Sequence, residues 1–554
     1  MSTLYTKIEA SGLFPKISLY FAKFIVELEN KSKSNQAKDT IFKLFLTALF
    51  CSKATLDGHI CLNLSVINEI FQEEIETLGL NTFSDSDFQS KLLDCNVISK
   101  PGEFTPLIIN NSKIYLHRYW QYEQNLITTF SALAKNKINF NSEELLEKEI
   151  SLSFPELLKQ EARSQKQAIF KAFTSKLTII TGGPGTGKTS TITKLYSLLS
   201  KYFPGKNIAI AAPTGKATVK INSILDNPIA ITIHRLMGAR KSSSGFQYNN
   251  KNKLPYDIII IDEASMIDLP LMSKVLDALD NAARLILIGD KDQLSSVEPG
   301  AFFGQLCTQY YADPAIKNSI IKLTHNYRFQ KDSSLNKLVK YIQNNQTLNP
   351  TNLNKLINKN DIFIINCPSD KSLEKILTEK VIPQNTEYIK AITIRDALKK
   401  LQAFKVLSPV NKGPFGIRNL NFLIEKILEK KGLIQKKGQP FYENQPIIVR
   451  KNDYSLKLFN GDVGVIRKNK AGKLSAFFEG PNKSIKEVMP ALLPKFDIAY
   501  AMTVHKAQGS EFEKVLFVVG NTKFLSRELI YTALTRAKKS VEIVGDIKFY
   551  LKIL

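Results

Sequence analysis

The sequence predicts an α/β chain with two parallel-sheet lobes, a helical N-terminal domain before them and a small β-rich insertion in the second lobe. Three observations carry this expectation. From about residue 154 short β-branched runs alternate with helical segments, in two successive sets. A glycine-rich stretch at 182–189 falls between a β run and a helical run. The residues before about 125 lack that alternation and read mostly as helix. At roughly 150 residues per domain, the 554 residues make about three to four domains. The expected divisions are 1–125 for the N-terminal domain, 126–345 for the first lobe and 346–554 for the second, with the insertion at about 412–498.

Composition narrows the function classes. The chain is 44% hydrophobic and 10% aromatic, which excludes wholesale disorder. Its 26 glycines and 22 prolines exclude a collagen-like or proline-rich fibre. Lys and Arg total 76 against 51 Asp and Glu, a net charge of +25. That excess suits a polyanionic partner, nucleic acid before membrane; a general bias toward Lys and Asn would yield the same number. The five cysteines (51, 61, 95, 307 and 367) form no CxxC pair, and their spacings suit neither zinc nor a disulfide framework. They read as thiols of a reducing, cytoplasmic protein. The five histidines are too scattered for a metal cluster. Met1 to Glu9 has no basic segment followed by an apolar core, and apolar runs such as Leu44–Cys51 fall far short of a membrane span.

In the N-terminal domain, Ile41–Ala48 is a compact apolar helical segment, and Leu64–Leu78 has helical periodicity broken by acidic residues. Leu107–Ile109 and Lys113–Leu116, joined by Asn110-Asn111-Ser112, read as a hairpin. The first lobe's strands are expected at Leu177–Ile180, Ile208–Ala212, Asp257–Ile261 and Leu285–Ile288. The second set is Phe404–Leu407, Ile447–Val449, Val515–Val519 and Val541–Val544. Lys426, Lys430, Lys431, Lys436 and Lys437, with Glu425 and Glu429, read as a solvated face.

Gly182-Gly183-Pro184-Gly185-Thr186-Gly187-Lys188-Thr189 matches GxxxxGK[ST] between a strand and a helix, Thr189–Ser200, the context a phosphate-binding loop requires. Its glycines free the backbone, so that N–H groups converge on phosphate oxygens at a helix N-terminus. Lys188 would reach the β- and γ-phosphates of ATP, and the Thr189 hydroxyl would bind Mg²⁺. Ile258-Ile259-Ile260-Ile261-Asp262-Glu263 places two carboxylates at the carboxyl end of a buried strand, the edge where such sheets bind ligands. Asp262 would hold Mg²⁺ through water, and Glu263 would polarise the attacking water.

Further blocks suit a nucleotide-driven motor. Gly289-Asp290-Lys291-Asp292-Gln293-Leu294 offers Gln293, whose amide can contact both γ-phosphate and water. Leu323-Thr324-His325-Asn326-Tyr327-Arg328-Phe329 offers Arg328 beyond the first sheet. Tyr531-Thr532-Ala533-Leu534-Thr535-Arg536-Ala537 offers Arg536, an arginine finger if it crosses a cleft and a surface ion pair if it does not.

This ordered set resembles superfamily 1 helicases, and among them the RecD family, the alpha subunits of exodeoxyribonuclease V (RecBCD). The likeness rests also on Ala211-Ala212-Pro213-Thr214-Gly215-Lys216-Ala217, Thr232-Ile233-His234-Arg235-Leu236, Gly413-Pro414-Phe415-Gly416, Leu458-Phe459-Asn460-Gly461-Asp462-Val463-Gly464 and Thr503-Val504-His505-Lys506-Ala507-Gln508-Gly509-Ser510-Glu511-Phe512. More weakly, Asp57–Leu62 and Ile114–Trp120 resemble that family's docking domain.

The resemblance implies two RecA-like, P-loop NTPase lobes and an SH3-like insertion. It implies an ATP-dependent 5′→3′ DNA helicase that unwinds duplex ends at double-strand breaks for recombinational repair and degradation. It assigns adenine reading to Gln165, and places Thr214, His234, Thr503 and His505 near single-stranded DNA. It implies RecB-like and RecC-like partners in a heterotrimer, with the nuclease centre on the RecB-like subunit, and no membrane. A stand-alone RecD-like helicase is the alternative. That type carries a helix-hairpin-helix region before the motor, for which no counterpart is read here.

Overall fold

A computed structural model describes residues 2–32, 36–80, 83, 87–153, 163–225, 227–240, 245–295, 299–308, 313–328, 333–344, 361–367, 370–436, 438–480, 484–520 and 525–545. Phe329 and Lys437 lie outside these.

The first lobe is a six-stranded, wholly parallel sheet. Its order is Ile320–Leu323, Leu177–Gly182, Arg284–Gly289, Ile258–Ile261, Ile208–Ala212, Ile231–Thr232. The run of four isoleucines is apolar throughout because both faces of its strand are covered. Ile259 and Ile261 join Leu177, Ile179 and Leu287 on one face. Ile258 and Ile260 join Ile180, Ile210 and Ile288 on the other. In a parallel sheet every strand ends at the same edge, so Gly182, Asp262 and Asp290 emerge together.

The second lobe is a five-stranded parallel sheet ordered Ile362–Asn366, Ala537–Gly545, Phe512–Val518, Phe404–Ser408, Ala501–Thr503. The expected strand at Ile447–Val449 belongs elsewhere. It pairs antiparallel with Val463–Lys468 and Phe496–Ile498 in a separate five-stranded antiparallel sheet that also holds Leu474–Glu479 and Ile485–Val488. An apolar β run has the same local signature in either setting. The β-rich insertion therefore spans 446–498, while the helix Ile417–Lys430 packs through Leu420, Ile424 and Leu428 into the second lobe's core. Glu425, expected on a solvated face, is buried, and accepts from the Lys436 ammonium at 2.9 Å and from the Tyr442 hydroxyl.

The N-terminal domain has helices Ser2–Ala10, Lys16–Lys31 and Lys38–Leu56 against a small sheet ordered Leu62–Asn63, Lys113–Leu116, Leu107–Asn110, Ile98–Ser99. The hairpin turns at Asn111, whose φ is 55°. Helix His117–Lys135 runs through the division expected at 125. Its Tyr119, Leu126, Phe130 and Leu133 join the first lobe's core, and the Asn125 amide donates to Ser273 Oγ and Asp277 Oδ1, both at 2.9 Å. Periodicity announces a helix but not the core it joins.

All five cysteines are free thiols, three of them buried. Among the described residues no helix is long and apolar enough to cross a membrane.

One buried charge stands out. Lys405 lies in the strand Phe404–Ser408, wholly buried, with its ammonium donating to the Ala499 carbonyl at 3.0 Å. Burial, aided by repulsion from Lys216, pushes it down to about 7. The unfolded chain holds that proton up to the ordinary lysine range, so between pH 7 and about 10 the unfolded state binds more protons and rising pH favours the fold. Lys405→Met should therefore melt higher than wild type at pH 7, with the gap shrinking by pH 9. Differential scanning fluorimetry at the two pH values reads the gap, and a constant gap would exclude a titrating Lys405.

Candidate nucleotide site between the two lobes

The phosphate loop leaves the fully buried strand Leu177–Gly182 and enters the helix Lys188–Tyr202. Two of its glycines are required by geometry. Gly185 and Gly187 have φ of 79° and 82°, where side chains are strained. A Cβ on Gly185 would lie 2.4 Å from Arg328 Cβ, and one on Gly187 would lie 2.4 Å from Gln165 Nε2. The Lys188 ammonium folds over the loop, donating to the carbonyls of Gly182 at 2.5 Å and Gly183 at 2.9 Å.

Asp262 and Glu263 close the same edge. Burial, then the charge of Glu263, pushes the Asp262 carboxyl up to about 7. Glu263 has a left-handed backbone, φ 51°, and its buried Oε2 has no hydrogen-bond partner. The Gln293 amide Nε2 donates to Asp290 Oδ2 at 2.9 Å, which leaves its buried Oε1 without a partner.

The far wall comes from the second lobe. Arg536 follows the helix Arg527–Leu534 and is buried; its guanidinium donates to the carbonyls of Thr532 at 3.1 Å and Ser510 at 3.3 Å. Burial lowers its pKa, and Glu263 of the first lobe acts in the opposite sense. Glu511 stands beside it. Burial pushes its carboxyl up, but Lys220, Arg328 and Lys538 together pull it down to about 2. Arg328 contacts Glu511 at 2.6 Å and donates to the Thr535 carbonyl at 3.1 Å.

Lys188, Thr189, Asp262, Glu263, Gln293, Arg328, Glu511 and Arg536 line one cavity of about 270 Å³. It is therefore walled by both lobes. Its fittings are the two lysines Lys188 and Lys220, a phosphate loop, three carboxylates, of which Glu263 has an unpartnered oxygen, and two arginines.

Other expected residues lie elsewhere. Gln165 is buried beneath the loop; its amide donates to Thr191 Oγ1 at 3.2 Å and accepts from the Tyr327 hydroxyl at 3.0 Å. It is not among the residues lining the cavity. Thr214 caps the helix Gly215–Asn222, accepting from the Ala217 N–H at 3.2 Å. Thr503 is buried and accepts from the Lys506 N–H at 3.3 Å. His234 is exposed beside Phe246, and His505 is partly buried. Thr214 and Thr503 each lie at or just beyond the carboxyl end of a parallel strand, outside the cavity. Sequence reasoning gave no role to Glu511, Lys220 or Tyr531. Their cross-lobe contacts, Glu511–Arg328, Lys220–Glu511 and Tyr531–Asp290, join residues more than 180 positions apart, which no local pattern encodes.

Two parallel-sheet lobes sharing one phosphate-loop cavity define a P-loop nucleotide-dependent motor protein. Family models described as an AAA domain and a UvrD-like helicase C-terminal domain match residues 165–299 and 498–544. A third, RecBCD enzyme subunit RecD, N-terminal domain, matches residues 10–115. RecBCD enzyme subunit RecD of Buchnera aphidicola subsp. Acyrthosiphon pisum is 30% identical over 100% of this chain and 98% of its own length. The Haemophilus influenzae subunit is 28% identical over 99% and 97%. The ATP-dependent RecD2 DNA helicase of Deinococcus radiodurans is 33% identical over 66% of this chain and 46% of its own. The chain belongs to the RecD family of RecBCD enzyme subunits.

Proposed function

We infer that the chain is an ATP-dependent 5′→3′ DNA helicase subunit of a RecBCD-type exodeoxyribonuclease V, acting in the cytoplasm. It would open duplex DNA from double-strand breaks for recombinational repair and degradation. The observation that carries this reading is the cavity walled by both lobes, with Lys188, Asp262, Glu263 and Gln293 on one side and Arg536 on the other. The direction of travel rests on family membership alone.

Each residue has a role in the reaction. The loop from Gly182 through Gly183, Pro184, Gly185, Thr186 and Gly187 presents its N–H groups to the phosphates. Lys188 releases the loop carbonyls to meet the β- and γ-oxygens. Glu263, through its unpartnered oxygen, accepts a proton from the attacking water, and Gln293 Oε1 orients it. Arg328 and Arg536 stabilise the charge that builds on the γ-phosphoryl group. Gln165 would act on adenine only after leaving Tyr327 and Thr191.

The site suits Mg²⁺. Two crowded carboxylates, one of them pushed up to about 7 by burial and its neighbour, are a donor set that a cation relieves. Thr189 and Asp262 would hold the ion, which would neutralise phosphate charge when bound.

Loss of the γ-phosphate removes what both lobes grip, so they part. Thr214, His234, Thr503 and His505 would meet single-stranded DNA at the sheet edges, in a sequence-tolerant and electrostatic manner.

The N-terminal domain supports the partner reading. On the helix Lys16–Lys31, Ile17, Tyr20 and Phe24 are 61%, 66% and 57% exposed at helical spacing. An apolar stripe of this kind marks a protein interface, here for the RecC-like subunit that would receive this docking domain. The identity with RecD2 favours a stand-alone helicase as the second reading, but the subunit relatives are matched over nearly their whole length.

Purified assembly should hydrolyse ATP faster with single-stranded DNA and unwind a 5′-tailed duplex. Lys188→Ala should abolish both activities without altering circular dichroism; a variant unwinding at wild-type rate refutes the site. Arg536→Ala should still bind nucleotide, yet lose turnover by ~10³-fold or more. Combined loss of nucleotide binding and folding would instead mark Arg536 as a structural ion pair. Tyr20→Glu with Phe24→Glu should leave the chain folded but strip it from its partners on size-exclusion chromatography. A fully active monomeric wild type would favour the stand-alone reading.

A further inference from the structure

The segment that carries Gln293 is stitched to the opposite lobe. Tyr531, on the helix Arg527–Leu534 of the second lobe, is fully buried, and its hydroxyl donates to Asp290 Oδ2 of the first lobe at 3.1 Å. That same oxygen accepts from the Gln293 amide. The Gln343 amide, at the end of the helix Ser334–Gln343, donates to the Tyr531 hydroxyl and to Asp292 Oδ2, both at 3.1 Å. The Leu294 N–H donates to Thr532 Oγ1 at 2.8 Å, and the Gln508 amide donates to the Leu294 carbonyl at 2.7 Å. The helix Ser334–Gln343 packs through Leu335, Leu338 and Ile342 into the second lobe's core, so four bonds from that lobe hold the segment 290–294. The phosphate loop leans on the same groups, because a Cβ on Gly183 would lie 3.1 Å from the Tyr531 hydroxyl and 3.4 Å from Gln343 Nε2.

The chemistry fixes which way Gln293 faces. A carboxylate oxygen only accepts, so Asp290 takes the amide N–H and the Gln293 carbonyl oxygen is turned away from it. That oxygen is buried and without a partner, and Gln293 lines the cavity. The phenol is a neutral donor, since burial and then the Asp290 charge raise its pKa well above the ordinary range.

We propose that Tyr531 is a positioning residue for ATP hydrolysis: through Asp290 it converts the seating of the second lobe into the orientation of the Gln293 amide. This rests on the nucleotide-site reading above and adds to it a coupling element. With the lobes seated, the Gln293 oxygen is held as an acceptor for the attacking water. With the second lobe displaced, Tyr531 leaves Asp290 and the amide is free to turn. Turnover is thereby tied to lobe closure, while ground-state nucleotide binding is not.

Tyr531→Phe removes only the hydroxyl and keeps the ring in its packing. In the full chain with saturating single-stranded DNA, kcat for ATP should fall about ten-fold, the expected effect of losing one hydrogen bond to a charged group in a positioning chain. KM should hold, and the melting temperature should fall only slightly, as the loss of one buried hydrogen bond requires. In a Gln293→Ala background the same change should do nothing further, because both act through one amide. Equal losses in both backgrounds, or an unchanged kcat, overturns the proposal; so does a raised KM with kcat intact. If Tyr531→Phe does not fold, Gln343→Leu replaces it, with a smaller loss of kcat expected that again vanishes without Gln293. Lys188→Ala, measured in parallel, separates the two readings: activity surviving there defeats the nucleotide site itself.

Discussion

Buried charge at the lobe interface is the constraint on which the rest depends. Arg536 is only 4% exposed, and its own lobe offers its guanidinium backbone carbonyls. Carboxylates of both lobes act on it, Glu263 and Asp290 from the other lobe and Glu511 from its own. The arrangement is reciprocal, for Glu511 of the second lobe meets Lys220 and Arg328 of the first beside Lys538 of its own. A buried ion left without its partner is costly. Each lobe thus presents charges that the other helps to answer, and the cavity for a polyanion lies where they meet. A triphosphate entering there brings negative charge to walls holding two arginines and two lysines.

Much of this was legible in the sequence wherever a local pattern has a single physical cause. The phosphate loop needs left-handed backbone at Gly185 and Gly187 and tolerates no Cβ there, and that need leaves glycines in the chain. The isoleucine run reports a strand covered on both faces, and Asp262-Glu263 reports where it ends. Other features have several causes and stayed ambiguous. Ile447–Val449 has the apolar signature of a parallel core strand and lies in an antiparallel sheet. Glu425 sits among lysines as a solvated residue would, yet Tyr442 and Lys436 draw it inside. Lys405 occupies a strand position that composition alone would give to an aliphatic residue. Tyr531 carries no local sign that its hydroxyl serves a carboxylate 241 positions away.

The β-rich insertion is braced against the first lobe as well as growing from the second. A Cβ on Gly215 would lie 2.6 Å from the Phe459 ring, which accounts for glycine at the start of the helix Gly215–Asn222. The neighbouring Lys216 ammonium donates to Ser510 Oγ at 2.6 Å. The insertion therefore touches the first lobe through Phe459 while growing from the second.

Ser510 joins this outer brace to the inner charge network. Its hydroxyl accepts from Lys216, and its carbonyl accepts from Arg536. Two residues earlier, Gln508 holds the Leu294 carbonyl beside the Gln293 segment. A short stretch of the second lobe thus touches the phosphate wall on one side and the Thr214–Lys216 turn on the other. A packed protein interior transmits displacement because it has few voids to absorb it. If Arg536 shifts when the charge it faces changes, the Ser510 carbonyl must follow or lose its bond, and the hydroxyl carries Lys216 with it. Ser510 is thus the residue at which the phosphate wall and the strand-end edge that holds Thr214 meet.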